Sequence, residues 1–174
     1  MGISLDIQFI YPMENFYSND KANAGKHNFQ GGSLLAVEDD TDHWMLIRHG
    51  LQKLLPEVNL MWAATAAEAM EYLQACAKQK QELPRLLLLD LYLPNREDGL
   101  QLLQSIKTAE PAFRRVPIVV LSSSHHVDDI TEAYELGCSS YFVKPTKPSE
   151  WETYFEAIFD YWGHTATLPD TRLR

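Results

Sequence analysis

Leu34-Leu35-Ala36-Val37 is a short apolar run that breaks off in Glu38-Asp39-Asp40, and Trp44, Ile47, Leu51 and Leu54 then recur at helical spacing. Val58, Leu60 and Trp62 alternate as in a half-buried strand. Thr65-x-x-Glu68 next forms a capping box, opening a helix with Met70, Leu73 and Ala77 on one face. Leu86 to Leu89 are apolar at every position, as in a strand buried on both faces of a parallel sheet, and the run stops at Asp90. A loop containing Pro94 and Gly99 leads to a helix with Leu103 and Ile106, and a second continuous apolar strand, Ile118 to Leu121, ends at Ser122-Ser123-Ser124. Asp128 and Asp129 open the next helix and Gly137 closes it. Tyr141-Phe142-Val143 is a fifth strand ending at Lys144-Pro145, and Ser149-x-x-Glu152 predicts a second capping box before an aromatic helix from Trp151 to Trp162. Five such units with continuous apolar central strands predict an α/β fold with a doubly wound parallel five-stranded sheet, because right-handed crossovers place helices on both faces.

Ligands of such sheets bind beyond the carboxyl ends of the strands. The strand ends carry Glu38 and Asp39, Asp90, Ser122 and Lys144, so the fold gathers three carboxylates, a hydroxyl and an ammonium. Carboxylates sharing a cleft repel one another unless a cation joins them, and hard oxygen donors that leave room for water suit Mg²⁺. Lysine, serine and metal together can stabilise a phosphoryl group on a carboxylate oxygen, with the central Asp90 as nucleophile. Taken singly, Asp39 and Asp40 read as helix caps, Ser122 as a turn residue and Lys144 as a solvated charge; their joint placement at strand ends favours the site. Asp90 resists a bland reading, since a carboxylate after four leucines is costly to desolvate without compensation. His43, His49, His125, His126 and His164 lack ligand spacing and read as surface or boundary residues.

The chain of 174 residues is one domain's worth, and its formal charge of −9 repels phosphate backbones, which argues against nucleic acid as a partner. It has no apolar run long enough to cross a bilayer and no secretion signal, and Cys76 and Cys138 read as small core residues, so a cytoplasmic setting is expected. Residues 1–32 read as an N-terminal extension in which Ile3, Leu5, Ile7 and Phe9 alternate, residues 33–163 as the domain, and residues 164–174 as a C-terminal tail. Trp151, Tyr154, Phe155, Ile158, Phe159, Tyr161 and Trp162 span a wider arc than a helix needs to cover a sheet. That excess predicts a homodimer through the fourth and fifth units, with the tail packing across the partner.

Val37-Glu38-Asp39-Asp40, Asp90-Leu91-Tyr92-Leu93-Pro94 with Asp98-Gly99, Leu121-Ser122-Ser123 and Val143-Lys144-Pro145 resemble the four signature blocks of the response-regulator receiver domain, in order over about residues 33–163. The resemblance implies a flavodoxin-like, CheY-like (βα)5 fold with strand order 2-1-3-4-5. It also implies that Asp90 is the phosphoacceptor for a sensor histidine kinase, and that Glu38, Asp39, Asp90 and the Tyr92 backbone carbonyl hold Mg²⁺. Ser122 and Lys144 would contact the phosphoryl oxygens, Ser122 and Tyr141 would form the switch, and Lys144-Pro145 is a candidate cis bond. Ser122-Ser123-Ser124-His125, Tyr134-Glu135-Leu136 and the Tyr161-to-Pro169 segment are similar to single-domain regulators that partner bacterial phytochromes. On this reading the chain is a phosphorylated signalling switch without an output domain and not an enzyme that turns over outside substrates. Tyr92 stands where an aspartyl-phosphate phosphohydrolase would carry its second aspartate. A degenerate receiver serving as a constitutive binding or dimerisation module is the alternative, and intact Asp39, Asp90 and Lys144 argue against it.

Overall fold

Leucine at every position from 86 to 89 demands a strand covered on both sides, and that strand lies at the centre of the sheet. The computed structural model describes residues 26–171. Its strands are β1 (Ser33–Val37), β2 (Asn59–Ala63), β3 (Leu86–Asp90), β4 (Ile118–Ser122) and β5 (Ser140–Val143), paired in parallel in the order β2-β1-β3-β4-β5. This is the doubly wound arrangement that the pattern and the resemblance predict. The helices are α1 (Lys26–Phe29), α2 (Thr41–Leu54), α3 (Ala66–Lys78), α4 (Arg96–Thr108), α5 (Pro111–Arg114), α6 (Val127–Glu135) and α7 (Trp151–Phe159). Alternate strand residues feed two cores, one with Leu35, Leu87 and Val120 against α3 and α4, the other with Leu34, Leu88 and Val119 against α2 and α7. No helix among the described residues is long and apolar enough to cross a membrane. The alternating segment at Ile3–Phe9 lies outside the described residues.

Local chemistry explains most element boundaries. Asp40 and Thr65 cap α2 and α3, the Thr65 hydroxyl accepting the Glu68 N–H at 3.1 Å while the Glu68 carboxylate accepts the Ala64 N–H at 2.8 Å. Gly137 ends α6 at a φ of 95°. Three expectations need correction. The Ser149-x-x-Glu152 box does not form, because Pro148–Glu150 is already a turn of 3₁₀ helix, whereas a cap needs an extended backbone. Glu152 pairs with Lys53 of α2 instead. Lys144-Pro145 is not the cis bond, which is Leu93-Pro94; trans is the lower-energy default for an X-Pro bond. The last helix is α-helical only to Phe159 and widens into a π turn over Asp160–Thr165, closed by the Ala166 N–H on the Tyr161 carbonyl at 2.7 Å.

The tail closes on its own chain. The Asn28 side-chain amide donates to the Trp162 carbonyl at 2.8 Å and the Ala166 carbonyl at 2.6 Å, Phe29 is buried edge-on to Phe159, and the Thr171 carbonyl accepts the Leu83 N–H at 3.4 Å. Much of the wide aromatic arc is thereby covered from within, leaving Tyr161 half exposed.

Gly99, expected in a loop, lies inside α4, where a Cβ would stand 2.0 Å from the Leu91 carbonyl oxygen. Its missing side chain lets the helix rest against the loop that follows Asp90. Gly99→Ala is expected to lower stability by about 1–3 kcal/mol through this overpacking. Urea unfolding measures it, and a variant as stable as the parent contradicts the close-packing account.

Candidate functional site

Strand order reverses between β1, whose next strand in sequence lies to one side, and β3 on the other. Val37 pairs with Leu89, so Glu38 and Asp90 emerge level with each other at this crevice. Two bonds to β2 hold Glu38: its N–H donates to the Ala63 carbonyl at 3.0 Å, and its carbonyl accepts the Trp62 indole N–H at 2.8 Å. Trp62 in turn stacks on Trp44 with ring centres 5.3 Å apart. From the far side, Lys144 continues the β5 ladder by donating its N–H to the Ser122 carbonyl at 2.7 Å. Its buried ammonium reaches Asp90 Oδ2 at 2.7 Å and Glu38 Oε2 at 2.8 Å.

This site has two carboxylates to one ammonium, all buried. Burial raises the Glu38 pKa, to about 8, with the Asp90 charge adding to the rise and Lys144 opposing it. Glu38 Oε1 is buried without a hydrogen-bond partner, an uncompensated acceptor that a cation would satisfy. His43, on the first turn of α2, brings Nδ1 to 3.3 Å from that oxygen. One ligand atom each from Glu38, His43 and Asp90 lie within 4.8 Å of one another, which fits a divalent ion.

The expected residues do not all converge equally. Glu38, Asp90 and Lys144 touch. Asp39 is exposed and outside that cluster, while its neighbour Asp40 accepts the N–H groups of Asp42 and His43 as the helix cap. The Tyr92 N–H donates to Asp90 Oδ1 at 3.2 Å. Ser122 is fully buried and its hydroxyl accepts the Ser124 N–H at 3.1 Å; the Tyr141 hydroxyl donates to the Ser124 carbonyl at 2.9 Å. Ser122 and Tyr141 are therefore joined through the backbone of Ser124, with the Tyr141 ring already partly buried.

Sequence reasoning missed three contributors. His43 offered no ligand spacing, because Asp90 and Lys144, which it meets at the site, are remote in sequence. Asp129 read as a dipole-complementing acid, but it is buried and accepts from the Tyr92 hydroxyl at 3.1 Å and from Arg96 at 2.5 Å. Burial opposes its ionisation, yet hydrogen bonds from Ser124, Arg96 and Tyr92 outweigh that and hold its pKa below the usual value. Arg96 also pairs with Glu132, tying the start of α4 to α6. A buried acid was the only available signal, and burial of residue 129 is invisible before the fold is known.

The model of the response regulator receiver domain matches residues 34–156. FilR2 of Methanothrix harundinacea, a probable methanogenesis regulatory protein, is 36% identical over 129 residues, 74% of this chain and 82% of that protein. Response regulator Rcp1 of Synechocystis is 33% identical over 137 residues, 78% of this chain and 92% of the relative. A manganese-bound structure of Rcp1 superposes with a TM-score of 0.70 at 32% identity, over 79% of this chain and 99% of the other. The phosphorylated cyanobacterial phytochrome response regulator RcpA superposes with a TM-score of 0.71 at 34% identity, over 79% of this chain and 98% of the other.

The raised Glu38 pKa has a consequence for folding. Between the ordinary value of 4.5 and about 8 the native state binds more protons than the unfolded state, so metal-free protein loses stability as pH rises through this window. The Asp129 shift, being downward, acts at lower pH, where stability falls as the carboxyl protonates. Chelator-treated wild type is expected to lose up to about 1.4 kcal/mol per pH unit through Glu38, and Glu38→Gln to lose that part of the slope. Denaturant melts at pH 5, 6.5 and 8 measure the difference, and parallel profiles contradict the assignment.

Proposed function

The chain belongs to the response regulator receiver domain family, a family of signalling domains, and from that premise we propose that Asp90 accepts a phosphoryl group from a sensor histidine kinase. The observation that carries this reading is the buried Asp90 carboxylate held 2.7 Å from the Lys144 ammonium at the switch point of the sheet. Transfer makes a bond from an Asp90 carboxylate oxygen to phosphorus as the phosphorus–nitrogen bond of a kinase phosphohistidine breaks, the imidazole keeping the electron pair. Lys144 then neutralises the phosphoryl oxygens in place of the carboxylate it loses, and the Ser122 hydroxyl donates to them.

Glu38, Asp39 and Asp90, with the Tyr92 backbone carbonyl, are the proposed holders of Mg²⁺; the excess of carboxylate over ammonium and the unpartnered Glu38 oxygen support a cation there. The ion supplies charge neutralisation to the transferring group. Drawing the Ser122 hydroxyl toward phosphate costs the Ser124 N–H its acceptor and moves the carbonyl to which Tyr141 is bonded, which turns a charge change into a surface change. The likeness to RcpA supports a bacterial phytochrome as the kinase. Exposed Tyr134, Val143 and Tyr161 support a homodimer through the fourth and fifth units, and the buried free cysteines a cytoplasmic setting. The tail closes on its own chain here, so the dimer is assigned to these exposed residues in place of the tail.

Incubation with acetyl phosphate and Mg²⁺ is expected to add the mass of one phosphoryl group to the intact protein and none to Asp90→Asn. Light scattering on the same samples is expected to give twice the chain mass for the phosphorylated form. An Asp90→Asn protein that still gains the phosphoryl mass contradicts the acceptor assignment, and a monomer in both states contradicts the dimer.

A further inference from the structure

The proposed metal site accounts for carboxylates but leaves the imidazole beside them without a role. His43 is positioned at both ends of its side chain. Its backbone N–H donates to the capping Asp40 carboxylate at 2.9 Å, and its ring lies 5.8 Å from Trp151 at an interplanar angle of 33°. Nδ1 stands 3.4 Å from the Lys144 ammonium and 3.3 Å from Glu38 Oε1. An ammonium offers only donors, so the ring nitrogen facing it presents a lone pair. Glu38 Oε1 is buried and without a hydrogen-bond partner. With Glu38 ionised, Nδ1 and Oε1 offer lone pairs 3.3 Å apart, and one ligand atom each from Glu38, His43 and Asp90 lie within 4.8 Å of one another. That is a mixed nitrogen and oxygen donor set.

We infer that His43 is a protein ligand of the divalent ion through Nδ1, and that it biases the site toward first-row ions such as Co²⁺ and Ni²⁺ over Mg²⁺. The inference rests on the metal site proposed above and concerns which ions that site takes. Imidazole suits the later first-row ions, whereas Mg²⁺ is served by carboxylate, carbonyl and water oxygens and gains little from nitrogen. His43 therefore adds to the binding of one group of ions while leaving the other to the oxygen donors.

Calorimetric titration of the full chain with Co²⁺ and Mg²⁺, in wild type, His43→Ala and Asp90→Asn, separates the claims. His43→Ala is expected to weaken Co²⁺ binding at least about tenfold and to leave Mg²⁺ binding within about twofold. The Co²⁺ form of the wild type is expected to show a strongly shifted, exchangeable imidazole N–H proton resonance, and this reading does not depend on any variant folding. Absence of that resonance, or equal changes for both ions in His43→Ala, overturns the role of His43. If Asp90→Asn weakens both ions and His43→Ala neither, only the inference about His43 falls. If Asp90→Asn changes neither, the metal site itself falls, and the inference with it.

Discussion

One ammonium between two carboxylates governs this molecule. Lys144 comes from the end of β5, Glu38 from the end of β1 and Asp90 from the end of β3, so the contact spans three strands of the sheet. All three groups are buried, where unpaired charge is far more costly than at the surface. A balance of two negative groups to one positive leaves the site short of one charge, and burial, with Asp90 adding and Lys144 opposing, raises the Glu38 pKa to about 8. A dication or a phosphoryl-bound cation relieves the shortage. The apolar strands on either side make that imbalance matter, since in water it would be screened.

The surroundings of the triad connect it outward by two short routes. One runs from Ser122 through the Ser124 backbone to the Tyr141 hydroxyl on β5. The other runs from the Asp90 loop through Tyr92 to Asp129, which Arg96 also holds, at the start of α6. They end on β5 and α6, the elements that carry the exposed Val143 and Tyr134. The second route starts at Asp90 itself and the first at Ser122, whose carbonyl accepts the Lys144 N–H, so the phosphoryl group proposed for Asp90 would reach the partner surface through a few hydrogen bonds.

The strand ends were legible in the sequence because a continuous apolar run must stop where a polar residue first appears, and in a parallel sheet all such stops lie on one edge. This placed Glu38, Asp90, Ser122 and Lys144 without any knowledge of register. What stayed hidden depends on angles and distances between helices. Gly99 reads as a loop residue until the Leu91 carbonyl, 2.0 Å from where a Cβ would stand, shows why a glycine is needed inside the helix. His43 reads as a surface or boundary residue until the fold brings its Nδ1 to 3.3 Å from Glu38 Oε1. Ser149 has the right spacing for a cap and the wrong backbone, because Pro148 starts the turn early. The tail reads as packing across a partner because its own-chain contacts, Asn28 and Leu83, are remote in sequence and carry no pattern that points to it.

A double-mutant cycle on Lys144 and Asp90 tests the governing contact most directly. Urea unfolding of wild type, Lys144→Met, Asp90→Asn and the double variant in chelator gives the coupling free energy. Lys144→Met alone is predicted to cost about 3–5 kcal/mol by leaving two buried carboxylates uncompensated. Adding Asp90→Asn is predicted to recover at least about 1 kcal/mol of that loss. Effects that simply add, to within about 0.5 kcal/mol, would contradict the claim that these charges act as one unit.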